Sequence, residues 1–290
     1  MDICREHSGP TVVYNHVLWV LRKQTQAAWG SLGWPPAGAG SIFFQPGRSA
    51  LSTLIQLETV NLSGCELRLN ELLQPNVALL TTELALLVPA PFLYDLRPLL
   101  LLGHSFDGLL AYETVCLLNQ LDACHPLALC ISAHCAPMHR TPVEALHLFD
   151  DTTLIAGLNR FNGVPKESGT NAEHLAFCLP VIRADLQLDY QVMLRQDCSL
   201  HQSLLMMIVA DDYVASPELM RDWLQMNSAK SAFLSWSRRH FYLHEQLVAL
   251  CVRLHAFAGE LWPPTVTKLD ELACLSLRTA CASQINEWKL

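Results

Sequence analysis

Short apolar runs punctuate the chain, and each ends in small or turn-forming residues. Leu57 to Leu62 alternates and stops at Ser63-Gly64. Leu99 to Leu102 runs into Gly103, Leu127 to Ile131 into Ser132-Ala133, and Leu204 to Val209 into Ala210-Asp211-Asp212. Unbroken apolar runs of this length suit strands buried on both faces of a parallel sheet. Helical patterns separate them. Gly108 to Leu121 is one, and His244 to Phe257 is an amphipathic second. Ser216 reads as a cap before Pro217, with a helix running on through Trp223. The apolar stretch from Asn76 to Leu102 is broken by Glu83, Pro89, Pro91, Asp95 and Arg97. It reads as a helix followed by a buried strand, not as the ~20 clean residues of a membrane span. Strand–helix alternation predicts an α/β, mostly parallel, doubly wound sheet. From about Pro137 to Met193 the rhythm breaks into helical segments with acidic and turn residues. An insertion there, after a strand, is placed to cap a site, although ordinary helices with long loops give the same pattern. After Pro263-Pro264 the chain is either a docked helix over Leu269 to Leu277 or a loose tail.

Length and composition narrow the class. A chain of 290 residues fits one large domain, here residues 1–258 with the insertion at about 137–200 and an extension at 259–290. Hydrophobic residues make up 51% and charged residues 16%, which excludes disorder for most of the chain. The net charge of −8, from 27 acids and 19 bases, disfavours nucleic acid and anionic lipid as partners. The 11 cysteines contain no CxxC and are odd in number, against a disulfide framework or zinc ribbon. Free thiols in a reducing cytoplasm are expected. The N-terminus has no basic segment followed by an apolar one, so a secretory signal is not expected.

The sharpest chemical feature is Leu102-Gly103-His104-Ser105-Phe106-Asp107-Gly108, where an apolar strand turns into a helix. That is the setting of a nucleophile elbow, G-x-S-x-G, which lifts a serine hydroxyl out of the sheet beside a helix N-terminus. A serine nucleophile needs a base, and the base an orienting carboxylate. Asp212 ends the Leu204 to Val209 run, and His240 follows the short apolar segment Ala232-Phe233-Leu234. Ser105, Asp212 and His240 thus occur in the chain order of α/β-hydrolases.

These and further motifs resemble the type II thioesterases of polyketide and non-ribosomal peptide biosynthesis, and the related medium-chain acyl-carrier hydrolases. Pro35-Pro36-Ala37-Gly38-Ala39-Gly40-Ser41 is similar to that family's oxyanion loop, and Phe44-Gln45-Pro46 to its F-x-P. Ser63-Gly64-Cys65-Glu66-Leu67-Arg68 resembles P-G-R-E-x-R, and Leu179-Pro180-Val181-Ile182-Arg183-Ala184-Asp185 resembles a lid segment L-P-x-x-R-A-D. Asp212-Tyr213-Val214-Ala215-Ser216-Pro217 and His240-Phe241-Tyr242-Leu243 resemble the family's acid and histidine motifs. The matches run in order from about residue 34 to 245. The resemblance implies an α/β-hydrolase fold with a helical lid over an apolar acyl channel. It implies Ser105 as nucleophile, His240 as base and Asp212 as its orienter, with the backbone N–H groups of Ala37 and Phe106 as oxyanion hole. The implied substrate is an acyl thioester on the phosphopantetheine arm of an acyl or peptidyl carrier protein. No metal or cofactor is implied. A cytoplasmic monomer is expected.

The chain also departs from that pattern. Asp107 stands at the elbow's second glycine, where overpacking and an anionic side chain near a developing oxyanion would slow turnover. Arg238-Arg239 replaces two glycines before His240; the pair is either a solvated loop or a contact for the phosphopantetheine phosphate or an acidic carrier. Tyr213, Ser63 and Cys65 are further replacements. Cys130, His134, Cys135 and His139 crowd into too few residues for a zinc motif. His104 reads as a buried packing histidine, and Arg183 with Asp185 as a structural pair in the lid. The rival functions are a general carboxylesterase and a catalytically weak or inactive carrier-binding protein.

Overall fold

The computed structural model describes residues 13–14, 18–20, 29–50, 55–88, 98–121, 126–139, 145–160, 172–191, 198, 200–212, 214–236, 240 and 242–261. Among the described residues, eight strands form one sheet: β1 (Val13–Tyr14), β2 (Leu18–Val20), β3 (Trp29–Trp34), β4 (Ile55–Val60), β5 (Leu99–His104), β6 (Ala128–Ser132), β7 (Ser203–Val209) and β8 (Ser231–Trp236). Their order is β1-β2-β4-β3-β5-β6-β7-β8. The first two strands pair antiparallel, and the six from β4 to β8 are parallel.

Alternation within the apolar runs explains why they are strands. Leu99 and Leu101 of β5 enter the core on one face of the sheet, while Leu100 and Leu102 enter the core on the other. Strand β7 does the same with Leu204, Met206 and Ile208 against Leu205, Met207 and Val209. Each buried leucine of this kind contributes about 1.5–3 kcal/mol. The helices α1 (Val77–Leu87) and α2 (Phe106–Leu121) cover the first face. The helix α6 (Leu243–Leu261) and the 3-10 segment Ser41–Ala50 cover the second. Asn76 caps α1, its side chain accepting from the Ala78 and Leu79 N–H groups. Ser216 caps α5 (Pro217–Arg221), with Pro217 at the first helical position. The expected helix tightens into a 3-10 turn at Asp222–Met226.

Between β6 and β7 lie two 3-10 turns, α3 (Asp151–Arg160) and α4 (Ala172–Gln191). This segment owns a small apolar core of Leu146, Leu154, Leu158 and Leu179, separate from the two sheet cores. Among the described residues no helix is long and apolar enough to cross a membrane. The proposed C-terminal helix at Leu269 to Leu277 lies outside the described residues; α6 itself runs through Gly259 to Leu261.

One expectation about cysteine is corrected. Cys116 of α2 and Cys198, just before β7, are joined as a disulfide across 82 residues of sequence. Their Cα atoms are 5.8 Å apart, and both lie at the same apolar core. Cys65, Cys130 and Cys251 are buried and free.

Candidate active site

Strand order reverses at β3, whose neighbours are β4 on one side and β5 on the other. The loops leaving β3 and β5 therefore diverge at their carboxyl ends, the place where open α/β sheets bind ligands. Ser105 follows β5 directly and the Pro35 to Ser41 loop follows β3. Asp212 follows β7, and His240 follows β8.

The turn at Ser105 is built by sterics. Its backbone has φ +58°, a region that side chains rarely enter. The Ser105 N–H donates to the Ser132 carbonyl at 2.8 Å, and the Gly108 N–H donates to the Ser105 carbonyl at 2.9 Å. A Cβ on Gly103 would lie 2.2 Å from the Asp107 carbonyl oxygen, so the strand and helix approach too closely for any other residue. The hydroxyl is thereby held toward His240.

The three distant residues meet. His240 Nε2 lies 3.0 Å from Ser105 Oγ, and His240 Nδ1 lies 2.6 Å from Asp212 Oδ2. Asp212 and His240 are buried, at 3% and 6% exposure. The other Asp212 oxygen, Oδ1, accepts the N–H groups of Val214 at 2.9 Å and Ala215 at 3.2 Å. Burial pushes the Asp212 carboxyl up, but the hydrogen bond and charge of His240 and those two N–H groups outweigh it and hold the group below its ordinary range. An ionised Asp212 requires Nδ1 of His240 to carry the proton, which leaves the Nε2 lone pair facing the serine hydroxyl.

Behind His240 runs a buried polar chain. His104 Nδ1 is 2.8 Å from Ser132 Oγ, which is 2.9 Å from the Tyr242 hydroxyl. The His104 ring centre is 5.4 Å from that of His240. Burial, with His240 beside it, pushes His104 well below the ordinary imidazole range, so it is neutral.

The loop after β3 is held by carboxylates. Glu66 accepts from the Ser41 hydroxyl at 2.6 Å and the Ile42 N–H at 2.9 Å. Asp185 of α4 accepts from the Gly38 N–H at 2.8 Å. Arg68, itself buried, donates to the Asn61 carbonyl and to Glu71 and Glu83. Among the described residues no acceptor takes up the Ala37 or Phe106 N–H. Glu66 and Asp185 had no role in the site from sequence, although both sit in the motifs that carried the resemblance.

Two expectations change. Arg183 and Asp185 do not pair. They lie on different sides of α4: Arg183 donates to the carbonyls of His147 and Phe149 and to Asp151, while Asp185 faces Gly38. Asp107 is not a charged intruder. It is 1% exposed, and no neighbouring residue hydrogen-bonds to either of its oxygens. Burial, then Asp185 and Asp189, pushes its carboxyl well above the ordinary range, which favours the protonated form. Gly108 keeps the close contact instead: a Cβ there would lie 3.2 Å from the Gly103 carbonyl and 3.3 Å from Ile131.

The cluster Cys130, His134, Cys135 and His139 is dispersed among other partners. His139 meets Asp222, His134 lies 3.3 Å from Asp189, and Cys130 is fully buried. Among the described residues no three His, Cys, Asp or Glu side chains form a metal-binding group. Arg238, Arg239 and Tyr213 lie outside the described residues.

A parallel sheet with a serine at its strand–helix turn, facing an imidazole from a later loop, defines the α/β-hydrolase class. The chain belongs to the thioesterase family within it: the Thioesterase domain model matches residues 33–258. It is 25% identical to the human "S-acyl fatty acid synthase thioesterase, medium chain", over 77% of this chain and 84% of that one. It is 24% identical to the "Gramicidin S biosynthesis protein GrsT" of Aneurinibacillus migulanus, over 73% of this chain and 81% of that one. Among solved structures, the RedJ thioesterase of the prodiginine pathway in Streptomyces coelicolor superposes with a TM-score of 0.73 at 26% identity, covering 82% of this chain and 92% of that one.

Proposed function

We propose that this thioesterase hydrolyses acyl groups from the phosphopantetheine arm of a carrier protein, with Ser105, His240 and Asp212 as its machinery. Ser105 Oγ attacks the thioester carbonyl while His240 Nε2 takes its proton. The tetrahedral oxyanion is met by the N–H groups of Ala37 and Phe106. The C–S bond then breaks, and His240 returns the proton to the departing thiolate. Water attacks the acyl-serine with His240 again as base, and the carboxylic acid leaves. Asp212 keeps the imidazole in the required tautomer throughout. The observation that carries this reading is the unbroken Asp212–His240–Ser105 hydrogen-bond chain inside a thioesterase-family sheet.

The insertion between β6 and β7 is read as a lid over an acyl channel, because it packs around its own core and touches the loop after β3. Carrier domains of a synthase in the cytoplasm are the proposed partners, and Arg238-Arg239 the proposed contact for phosphate or acidic carrier surface. The names of the gramicidin and prodiginine relatives support a biosynthetic editing or release role. The test compares an acyl-carrier thioester with a p-nitrophenyl ester of the same chain. Carrier thioester is expected to be the better substrate by kcat/KM, and Ser105→Ala to abolish turnover of both. A Ser105→Ala variant that still turns over carrier thioester would overturn the mechanism. Preference for the p-nitrophenyl ester would indicate a carboxylesterase, and no turnover of either a carrier-binding protein.

A further inference from the structure

We propose that Asp185 is a positioning residue: from lid helix α4 it fixes the peptide planes around Ala37, so the oxyanion hole is complete only when the lid is seated. This rests on the reading of Ala37 as an oxyanion donor.

Two backbone hydrogen bonds flank that donor. The Ala39 N–H donates to the Pro36 carbonyl at 2.8 Å. That carbonyl belongs to the same peptide plane as the Ala37 N–H, and in a trans peptide the two point in opposite directions. Fixing one aims the other. The next plane carries the Gly38 N–H, which donates to Asp185 Oδ2 at 2.8 Å, from 147 residues away in sequence. Both planes around the Ala37 Cα are thus pinned, and between them the Ala37 N–H is left without an acceptor among the described residues.

Contact reinforces the hydrogen bond. Gly38 has φ +72°, and a Cβ there would lie 2.5 Å from Ile182 Cγ1. Ile182 and Asp185 are three apart on α4 and share a face. One turn of the helix is therefore pressed onto the Ala37–Gly38 turn by a side chain and held by a carboxylate. On its other side α4 is tied to the rest of the insertion through Arg183, whose guanidinium holds the His147 and Phe149 carbonyls and Asp151. Displacing the lid removes the acceptor from Gly38 and frees the second plane to rotate, which carries Ala39 with it and slackens the Ala39–Pro36 bond that aims the Ala37 N–H. Hydrolysis is then weakest when the acyl channel is open to water, which disfavours reaction before the acyl chain is enclosed.

The experiment compares Asp185→Ala and Asp185→Asn on an acyl-carrier thioester, with Ser105→Ala as control. Alanine removes the acceptor, whereas the asparagine amide oxygen can still take the Gly38 N–H. Removing an oxyanion donor outright costs about 10²–10³ in rate, and a misaimed donor costs part of that. Asp185→Ala is expected to lower kcat about 10–100-fold with KM within about threefold, and Asp185→Asn to keep kcat within about threefold. Affinity for an alkyl trifluoromethyl ketone, which forms an oxyanion on the serine, should fall in Asp185→Ala by the same factor as kcat. Should alanine not fold there, Asp185→Leu, a strong helix former suited to burial, carries the same expectation. Full kcat in the apolar variants would overturn the proposal. So would equal losses in alanine and asparagine, or a loss confined to KM, which a residue that merely shapes the lid would give. Failure of the serine mechanism shows separately, as turnover surviving in Ser105→Ala.

Discussion

Asp107→Asn offers a direct measure of how the elbow tolerates a carboxyl where a glycine is usual. The side chain is buried, and neither oxygen has a partner from a neighbouring residue. Its folded pKa is raised by burial and by Asp185 and Asp189. The unfolded chain ionises near the ordinary value of about 3.9, while the folded chain keeps its proton to a higher pH. Between those two values the native state binds one proton more than the unfolded state, so stability falls as pH rises, by about 1.4 kcal/mol per unit. Below the window the contribution is complete; above the folded pKa it is lost. Asparagine has nearly the same shape and cannot ionise, so it lacks this slope. Within that window the variant should gain on the native sequence by about 1.4 kcal/mol per pH unit. At about 2–4 °C per kcal/mol that is roughly 3–6 °C in Tm per pH unit. The assay is thermal unfolding of both proteins across this range, followed by tryptophan fluorescence and read as the difference between them. The difference cancels titrating groups that do not interact with Asp107. Turnover should stay within about threefold, since asparagine keeps the side chain's shape where burial already disfavours its charge. A Tm difference that does not change with pH would refute the buried neutral carboxyl. A tenfold gain in kcat would mean that Asp107 carries charge beside the reacting carbonyl after all.

Two further outcomes are expected. Asp212→Asn leaves the His240 tautomer unfixed, and kcat on a carrier thioester should fall about 10³–10⁴-fold, measured by steady-state kinetics. Reducing the Cys116–Cys198 bond, or replacing both residues by alanine, should lower stability by about 2–4 kcal/mol in urea titration without touching the serine relay; non-reducing peptide mapping should recover the linked pair.

The fold was legible because the strands at Leu99 to Leu102 and Leu204 to Val209 are buried on both faces and need no alternation of polarity. Strand β3 was not: Trp29–Trp34 contains two glycines and a serine and offers no apolar run, yet all six residues are buried. Ser105, Asp212 and His240 could be found because each follows a strand and the order is restrictive. What escaped were side chains whose partners are set by the lid's packing. Arg183 and Asp185 are two residues apart and of opposite charge, which invites pairing, but a helix turns them about 200° from each other. The environment of Asp107 was equally hidden, because it is set first by burial and then by Asp185 and Asp189 arriving from another helix. The disulfide joins cysteines 82 residues apart, a separation that carries no spacing signal.

The left-handed backbone at Ser105 has a consequence for how such a sequence drifts. Glycine enters that region without the steric cost that every other residue bears. Replacing Ser105 by glycine therefore relieves local backbone strain. Serine stands at that position against the local energetic gradient, and a Ser105→Gly chain is expected to lose the hydroxyl while the turn that carried it relaxes.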